Sequence, residues 1–250
     1  MSKLERHVRS LYRWTMSALY FFPVCTFLVI LGIFKNPRKN DRPQRVFFRN
    51  ILRVAGAELE VRRAPGFDPN RTCIFLCNHI NLFDAFVIYS AIPQFVRGWE
   101  LESHFKIPAY GWMMKRFGNI PIPPTTTPSA LKQLLERTKQ ALDDGVSVIV
   151  FPEGSRTPDG RLGPFRKGIF QLLPQLRYPI VPMTIVGSFE FNHKGSCLLN
   201  PGKIVVHLHD TIENQGLTRD TVAPLMERVH GIVSKPLDDY YAAGARHSGE

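Results

Sequence analysis

Residues 74–86 read IFLCNHINLFDAF: an apolar run that breaks at Asn78-His79 and resumes after Asp84. An imidazole and a carboxylate therefore sit five positions apart where strand chemistry gives out. On an ideal helix that offset rotates about 500°, leaving the side chains about 140° apart, and on a strand an odd offset points to opposite faces. Neither regular element pairs them, but a turn does. With a strand ending near Cys77 and a helix beginning near Leu82, His79 lies in the connection and Asp84 in the first helical turn. The carboxylate can then hold one imidazole nitrogen and leave the other free to take a proton. A plainer use of the same residues is Asp84 as a helix cap beside a His79 bound to backbone. A core strand running into such a turn points to an open α/β sheet, where sites gather beyond the carboxyl ends of the strands.

A second stretch has the same architecture. Residues 146–168, VSVIVFPEGSRTPDGRLGPFRKG, carry a buried strand into Glu153-Gly154-Ser155-Arg156, followed by Arg161, Arg166 and Lys167. Gly and Pro deny this segment a helix, so its cations are presented from a loop. Arg offers a planar fork and Lys a point charge to an anion such as phosphate, although a basic loop is more commonly just a solvated surface. One strand-end loop with a base and another with cations fit a phosphate-bearing alcohol.

Further strands are expected at 57–63, 72–78, 94–101, 179–188 and 202–210, with helices at 82–92, 107–117, 168–176 and 219–242. The best punctuated helix has Thr127 as N-cap, Pro128 in the first position, Leu131, Leu134, Leu135 and Leu142 on one face, and Gly145 past its end. This alternation predicts an α/β domain over 57–250 with a mixed, largely parallel sheet flanked by helices.

Residues 1–56 are different. Up to Arg53 there are eleven Lys/Arg against Glu5 and Asp41, so this segment holds +9 of the chain's net charge of +11. Within it, Thr15 to Phe34 is a run of twenty residues without formal charge, long enough to enter or cross a hydrocarbon core. A secretory signal would have a shorter apolar region and a small-residue cleavage site, whereas this run ends in KNPRKNDRPQR. Cations flank it on both sides, as for a dipping segment with both ends on the cytoplasmic face, and Pro23 is a place to kink. Residues 42–53, RPQRVFFRNILR, predict an amphipathic helix lying on anionic lipid. Residues 1–56 are thus expected to form a membrane-associating two-helix element. No nucleic-acid motif accompanies the basic charge, so nucleic acid is not an expected partner. Cys25, Cys73, Cys77 and Cys197 do not make a disulfide framework in a chain this long, and Cys73 and Cys77, on the apolar approach to His79, read as core thiols on a reducing, cytoplasmic side.

Asn78-His79-x-x-x-x-Asp84, Phe151-Pro152-Glu153-Gly154-Ser155-Arg156, Phe165-x-Lys167-Gly168 and Ile180-Val181-Pro182 resemble, in order and spacing, the motif set of the glycerolipid acyltransferases, specifically the 1-acyl-glycerol-3-phosphate (lysophosphatidic acid) acyltransferases. The resemblance covers about residues 70 to 190 and makes 57–250 an acyltransferase domain. It implies transfer of a fatty acyl group from acyl carrier protein or coenzyme A to the free hydroxyl of the lysolipid, giving phosphatidic acid. It also implies His79 as general base, Asp84 as its orienting partner, and Glu153, Gly154, Ser155 and Arg156 as acceptor-binding residues, supported by Arg161 and Lys167. No metal and no cofactor beyond the thioester co-substrate are expected, and the place expected is an inner membrane with the site on its cytoplasmic side. In two places the chain departs from the pattern. Pro123-Pro124 stand in GNIPIPPTT (118–126) where the family carries an acidic residue and an Arg, and Leu101-Glu102-Ser103 replace the usual cations ahead of Ile107-Pro108. Either Arg156, Arg161 and Lys167 hold the phosphate alone, or the acceptor is another lysolipid.

A thioesterase or lipase would need a nucleophile, and no G-x-S-x-G elbow is present. A peripheral lipid-binding protein with an inactive site is the non-enzymatic alternative. His104, His193, His207 and His209 are expected on the surface or on strand faces, and Trp99, Tyr110 and Trp112 in the core or at an interface.

Overall fold

A computed structural model describes residues 2–123, 127–218 and 220–244. One seven-stranded sheet runs through them, made of β1 (Ala57–Arg63), β2 (Ile74–Cys77), β3 (Val96–Leu101), β4 (Ile120–Ile122), β5 (Ser147–Val150), β6 (Ile180–Val186) and β7 (Gly202–Leu208). The helices are α1 (Lys3–Phe34), α2 (Arg42–Ala55), α3 (Asp84–Ala91), α4 (Tyr110–Arg116), α5 (Pro128–Asp143), α6 (Lys167–Leu176), α7 (Ser188–Phe191) and α8 (Val222–Ala242), with a 3-10 turn at Glu102–Lys106.

The strand order is β1-β7-β6-β2-β5-β3-β4, and every pair is parallel except β6 with β7. Every residue of β2, β5 and β6 is buried, which is why these strands read as unbroken apolar runs. Alternate residues serve two cores. Phe75, Cys77, Ile149, Met183 and Ile185 face α1 to α4, while Ile74, Leu76, Val148, Val150 and Ile180 face α5, α6 and α8. Leu76 pairs with Val150, so the segments after β2 and β5 leave the sheet side by side.

Most expected elements are present with their ends moved by a few residues, and α5 has its Thr127 cap, whose hydroxyl accepts from Ala130 N at 3.2 Å. The edge strand β4 was not expected, because prolines at 121 and 123 argue against a strand; edge position removes that objection. The short α7 and the 3-10 turn have too few residues for a periodic signal. Pro124 and the expected helix start at Arg219 lie outside the described residues.

The N-terminal helices correct one expectation. Phe47, Phe48, Ile51 and Leu52 of α2 do not face lipid: each is at most 2% exposed, and they pack with Tyr20, Phe21, Phe86 and Tyr89. The outward face of α2 is Arg42, Val46, Arg49 and Arg53. Covering the sheet removes this apolar face from water, about 1.5–3 kcal/mol per large side chain, and Phe47→Ala would forfeit about 3–5 kcal/mol. The exposed apolar surface belongs to α1, which runs through Pro23 for 32 residues, or about 48 Å. Its inward stripe is small, with Ser10, Ser17, Cys25 and Gly32 alongside Leu28, so the helix lies close against the domain. Leu199 N donates to Ser10 Oγ, Trp14 Nε1 to the Cys197 carbonyl, and Arg116 to the Gly32 carbonyl. Outward stand Leu4, Val8, Leu11, Leu19, Phe22, Phe27, Ile30 and Ile33. By length and composition α1 is apolar enough to cross a membrane.

Candidate active site

The chain leaves β2 at Cys77, and Asn78 prolongs the pairing with β6 through its side chain, which donates to the Ile185 carbonyl at 2.9 Å and accepts from Ile185 N at 2.8 Å. The backbone is thereby free to turn. His79 follows, and its Nδ1 donates to Asp84 Oδ2 at 2.7 Å. The same oxygen accepts from Ile80 N at 2.6 Å and Asn81 N at 3.0 Å, so the carboxylate caps the turn as well as holding the imidazole. Asp84 is the first residue of α3 and does not cap it, since its bonds go back to the turn before the helix. Asn81 braces the turn from the other side, accepting from Phe83 N and donating to carbonyls of Ser188 and Asn192. Asp84 is 1% exposed, whereas the His79 side chain is 25% exposed and stacks on Phe151 with ring centroids 4.0 Å apart. Nε2 of His79 has no partner among the described residues and can accept a proton.

The loop after β5 is laced to this turn. Glu153 Oε1 accepts from His79 N at 2.7 Å, its Oε2 accepts from Gly163 N at 2.9 Å, and Thr157 N donates to the His79 carbonyl at 2.8 Å. Both carboxylate oxygens of Glu153 are therefore engaged by backbone. Burial pushes its carboxyl up, against the two N–H groups that pull it down. Gly154 has φ +68°, and a Cβ there would run into the Arg166 side chain, whose Nε donates to the Glu153 carbonyl at 3.1 Å. Ser155 is exposed, and its hydroxyl has no base within hydrogen-bond reach among the described residues. Arg156 is half-buried with no anionic partner among the described residues, and Lys167 is exposed at the first residue of α6. Arg161 is exposed and leans over the Tyr241 ring, 5.8 Å from its centroid. Helix α8 steadies the loop, with His230 Nε2 donating to the Gly163 carbonyl at 3.2 Å and Tyr241 to that of Gly160 at 3.3 Å.

Cys77 lies behind the turn, and burial raises its thiol well above the ordinary range, which makes it a poor nucleophile. His207 and His209 stack with centroids 6.0 Å apart, and Nε2 of His209 bonds the Thr184 hydroxyl at 2.9 Å. Sequence reasoning passed over Asn81, Thr157 and His230, and it read Arg166 only as one of the loop cations; each meets its partners only through the fold. It also passed over a pair at the end of β3: His104 Nδ1 donates to Glu100 Oε2 at 2.8 Å, and the four-residue spacing was its only trace.

A family model described as Acyltransferase matches residues 52–186, more than half of the chain and all of the His79 turn and the Pro152–Arg156 segment. The chain belongs to the acyltransferase family. Among relatives, it is 35% identical over 141 residues to 1-acyl-sn-glycerol-3-phosphate acyltransferase BAT2, chloroplastic, of Brassica napus, covering 56% of this chain and 40% of that one. It is 28% identical over 183 residues to the 1-acyl-sn-glycerol-3-phosphate acyltransferase of Cocos nucifera, 56% of that protein's length. With the Homo sapiens 1-acyl-sn-glycerol-3-phosphate acyltransferase alpha it shares 28% over 224 residues, 85% of this acyltransferase and 79% of that one. The chain thus spans about half the length of the two plant relatives. The crystal structure of the LPA acyltransferase PlsC from Thermotoga maritima superposes with a TM-score of 0.81 over 98% of this chain and 99% of that one, at 22% identity, a likeness of fold.

Proposed function

We propose that this acyltransferase moves a fatty acyl group from an acyl thioester, on acyl carrier protein or coenzyme A, to the free hydroxyl of 1-acyl-glycerol-3-phosphate, giving phosphatidic acid. The observation that carries the reading is the His79–Asp84 pair, with Nδ1 held and Nε2 open, tied through Glu153 and Thr157 to the loop that bears Arg156. Its curated relatives are named for that acceptor. Nε2 of His79 takes the hydroxyl proton as the acceptor oxygen bonds to the thioester carbonyl carbon. The tetrahedral intermediate then collapses, the C–S bond breaks, and the thiolate leaves with the proton returned by the imidazolium. Asp84 stabilises that imidazolium and fixes its tautomer. Arg156 is the first candidate for the acceptor phosphate, with Lys167 and Arg161 behind it. Glu153 contributes by holding the backbone of His79 rather than by a free oxygen. The apolar outer face of α1 associates the enzyme with the membrane that holds the acceptor, and the site works from the cytoplasmic side.

The test is acyl transfer by the purified, detergent-solubilised chain, offered acyl-coenzyme A or acyl-acyl carrier protein with lysophosphatidate. Phosphatidic acid should form, and Arg156→Ala should raise KM for lysophosphatidate about tenfold with kcat nearly unchanged. Turnover of other lysolipids with none of lysophosphatidate would overturn the acceptor, and an unchanged KM would move phosphate binding elsewhere.

A further inference from the structure

A second imidazole–carboxylate pair stands on the same edge and the same face of the sheet as His79. Strand β3 lies beside β5, with Gly98 opposite Ile149, so two residues further on Glu100 comes level with Phe151, the ring on which His79 stacks. From the turn after β2 to the end of β3 is two strand spacings, about 10 Å. Glu100 shares the face of Gly98 and Ile149, the side covered by α1 to α4, and the Phe151 ring on which His79 stacks packs against that same core. His104 Nδ1 donates to Glu100 Oε2 at 2.8 Å, and Tyr110 of α4 donates to Oε1 at 3.4 Å while its ring packs against Phe21 of α1. Pinned in this way, His104 presents the lone pair of Nε2 outward. Its side chain is 41% exposed, and Nε2 has no partner among the described residues. With Nδ1–H given to Glu100, a neutral imidazole leaves Nε2 as an acceptor for a hydrogen-bond donor. The segment that holds the pair is also the one where Leu101-Glu102-Ser103 stand in place of cations.

We propose that Glu100 and His104 form a head-group subsite that takes a hydrogen-bond donor, ammonium or hydroxyl, which a lysophosphodiester acceptor carries beyond its phosphate. The proposal rests on the acyltransferase reading of the His79 site and extends its acceptors past lysophosphatidate. The acceptor hydroxyl lies at His79 and the phosphate at the Arg156 loop, which leaves the far end of the head group to reach β3.

Two measurements test it. The first compares kcat/KM for lysophosphatidylethanolamine and lysophosphatidylglycerol with that for lysophosphatidate, in the parent, His104→Ala and Glu100→Gln, with Tm checked for each. The ratio of diester to monoester should fall about tenfold in His104→Ala, and the arm that falls further tells ammonium from hydroxyl. The second titrates the histidine-¹⁵N-labelled full chain with glycerophosphoethanolamine, glycerophosphoglycerol and, as control, glycerol 3-phosphate. The His104 Nε2 resonance should move with a diester and not with the control, and less in Glu100→Gln. An unchanged ratio together with an unmoved resonance overturns the subsite. If no lysolipid is acylated, the reading of the His79 site fails, and the titration decides the subsite by itself.

Discussion

The two imidazole–carboxylate pairs have nearly the same bond, 2.7 Å from His79 to Asp84 and 2.8 Å from His104 to Glu100, but very different settings. Asp84 is 1% exposed, and the oxygen that holds His79 also holds two backbone N–H groups, whereas the Glu100 side chain is 21% exposed and its other oxygen meets Tyr110 alone among the described residues. A hydrogen-bonded pair is thus common to both, and what differs is how much backbone the carboxylate also holds. Where the carboxylate also carries the backbone of the turn, the imidazole is fixed by the fold around it; where it does not, the imidazole is held by side chains alone.

The comparison can be broken at several points. The largest effect is expected from His79→Ala, which should lower kcat by about 10²–10⁴-fold while the chain still sediments with vesicles through α1. Retained turnover would remove the general base from the mechanism. Asp84→Asn should come next, lowering kcat about 100-fold for every acceptor, and its effect on kcat should exceed that of Glu100→Gln at least about tenfold. Equal losses would show that the two settings are equivalent. Glu153→Gln replaces one of two engaged oxygens with an amide, so His79 N or Gly163 N loses its acceptor. Thermal unfolding should register a loss of about 1–3 kcal/mol, with a lower kcat from the loosened turn. Because the Glu153 carboxyl is raised in the fold, the native chain binds more proton than the unfolded chain over the pH range between the ordinary and the raised value. Glu153 therefore makes stability fall as pH rises from the ordinary carboxylate range through its raised value, and Glu153→Gln should lack that slope in pH-dependent denaturant titrations. The smallest effect is expected from Arg161→Ala, about a two- to threefold rise in KM for lysophosphatidate, because the guanidinium leans on Tyr241 while Arg156 has no partner among the described residues.

These differences also mark how far the chain could be read. The residues of β2, β5 and β6 are apolar on both faces, so their strands, and the two loops that follow them, stand out in a linear text. His79, Asp84 and Arg156 were singled out because each lies within a few residues of such a strand end. Glu153 could be singled out in the sequence, but its partners, His79 N and Gly163 N, belong to backbone, and backbone partners leave no mark in side-chain chemistry. Helix α2 shows the limit of an amphipathic pattern. Alternating Phe and Arg residues state that one face will be apolar, and an apolar face fits a lipid surface and a protein core equally well.

What the sequence by itself determined is the local: an α/β alternation, an apolar N-terminal helix, an imidazole in one turn and cations in another, each set by patterns spanning a dozen residues or so. What only the tertiary structure decided is adjacency. Parallel pairing of β2 with β5 put Glu153 under His79, and β5 with β3 put Glu100 two strands from it. Packing of α1 over α2 settled which helix keeps an apolar face outside. The physical reason is that strand order and helix packing are chosen by burial summed over the whole chain, and no short stretch carries that sum.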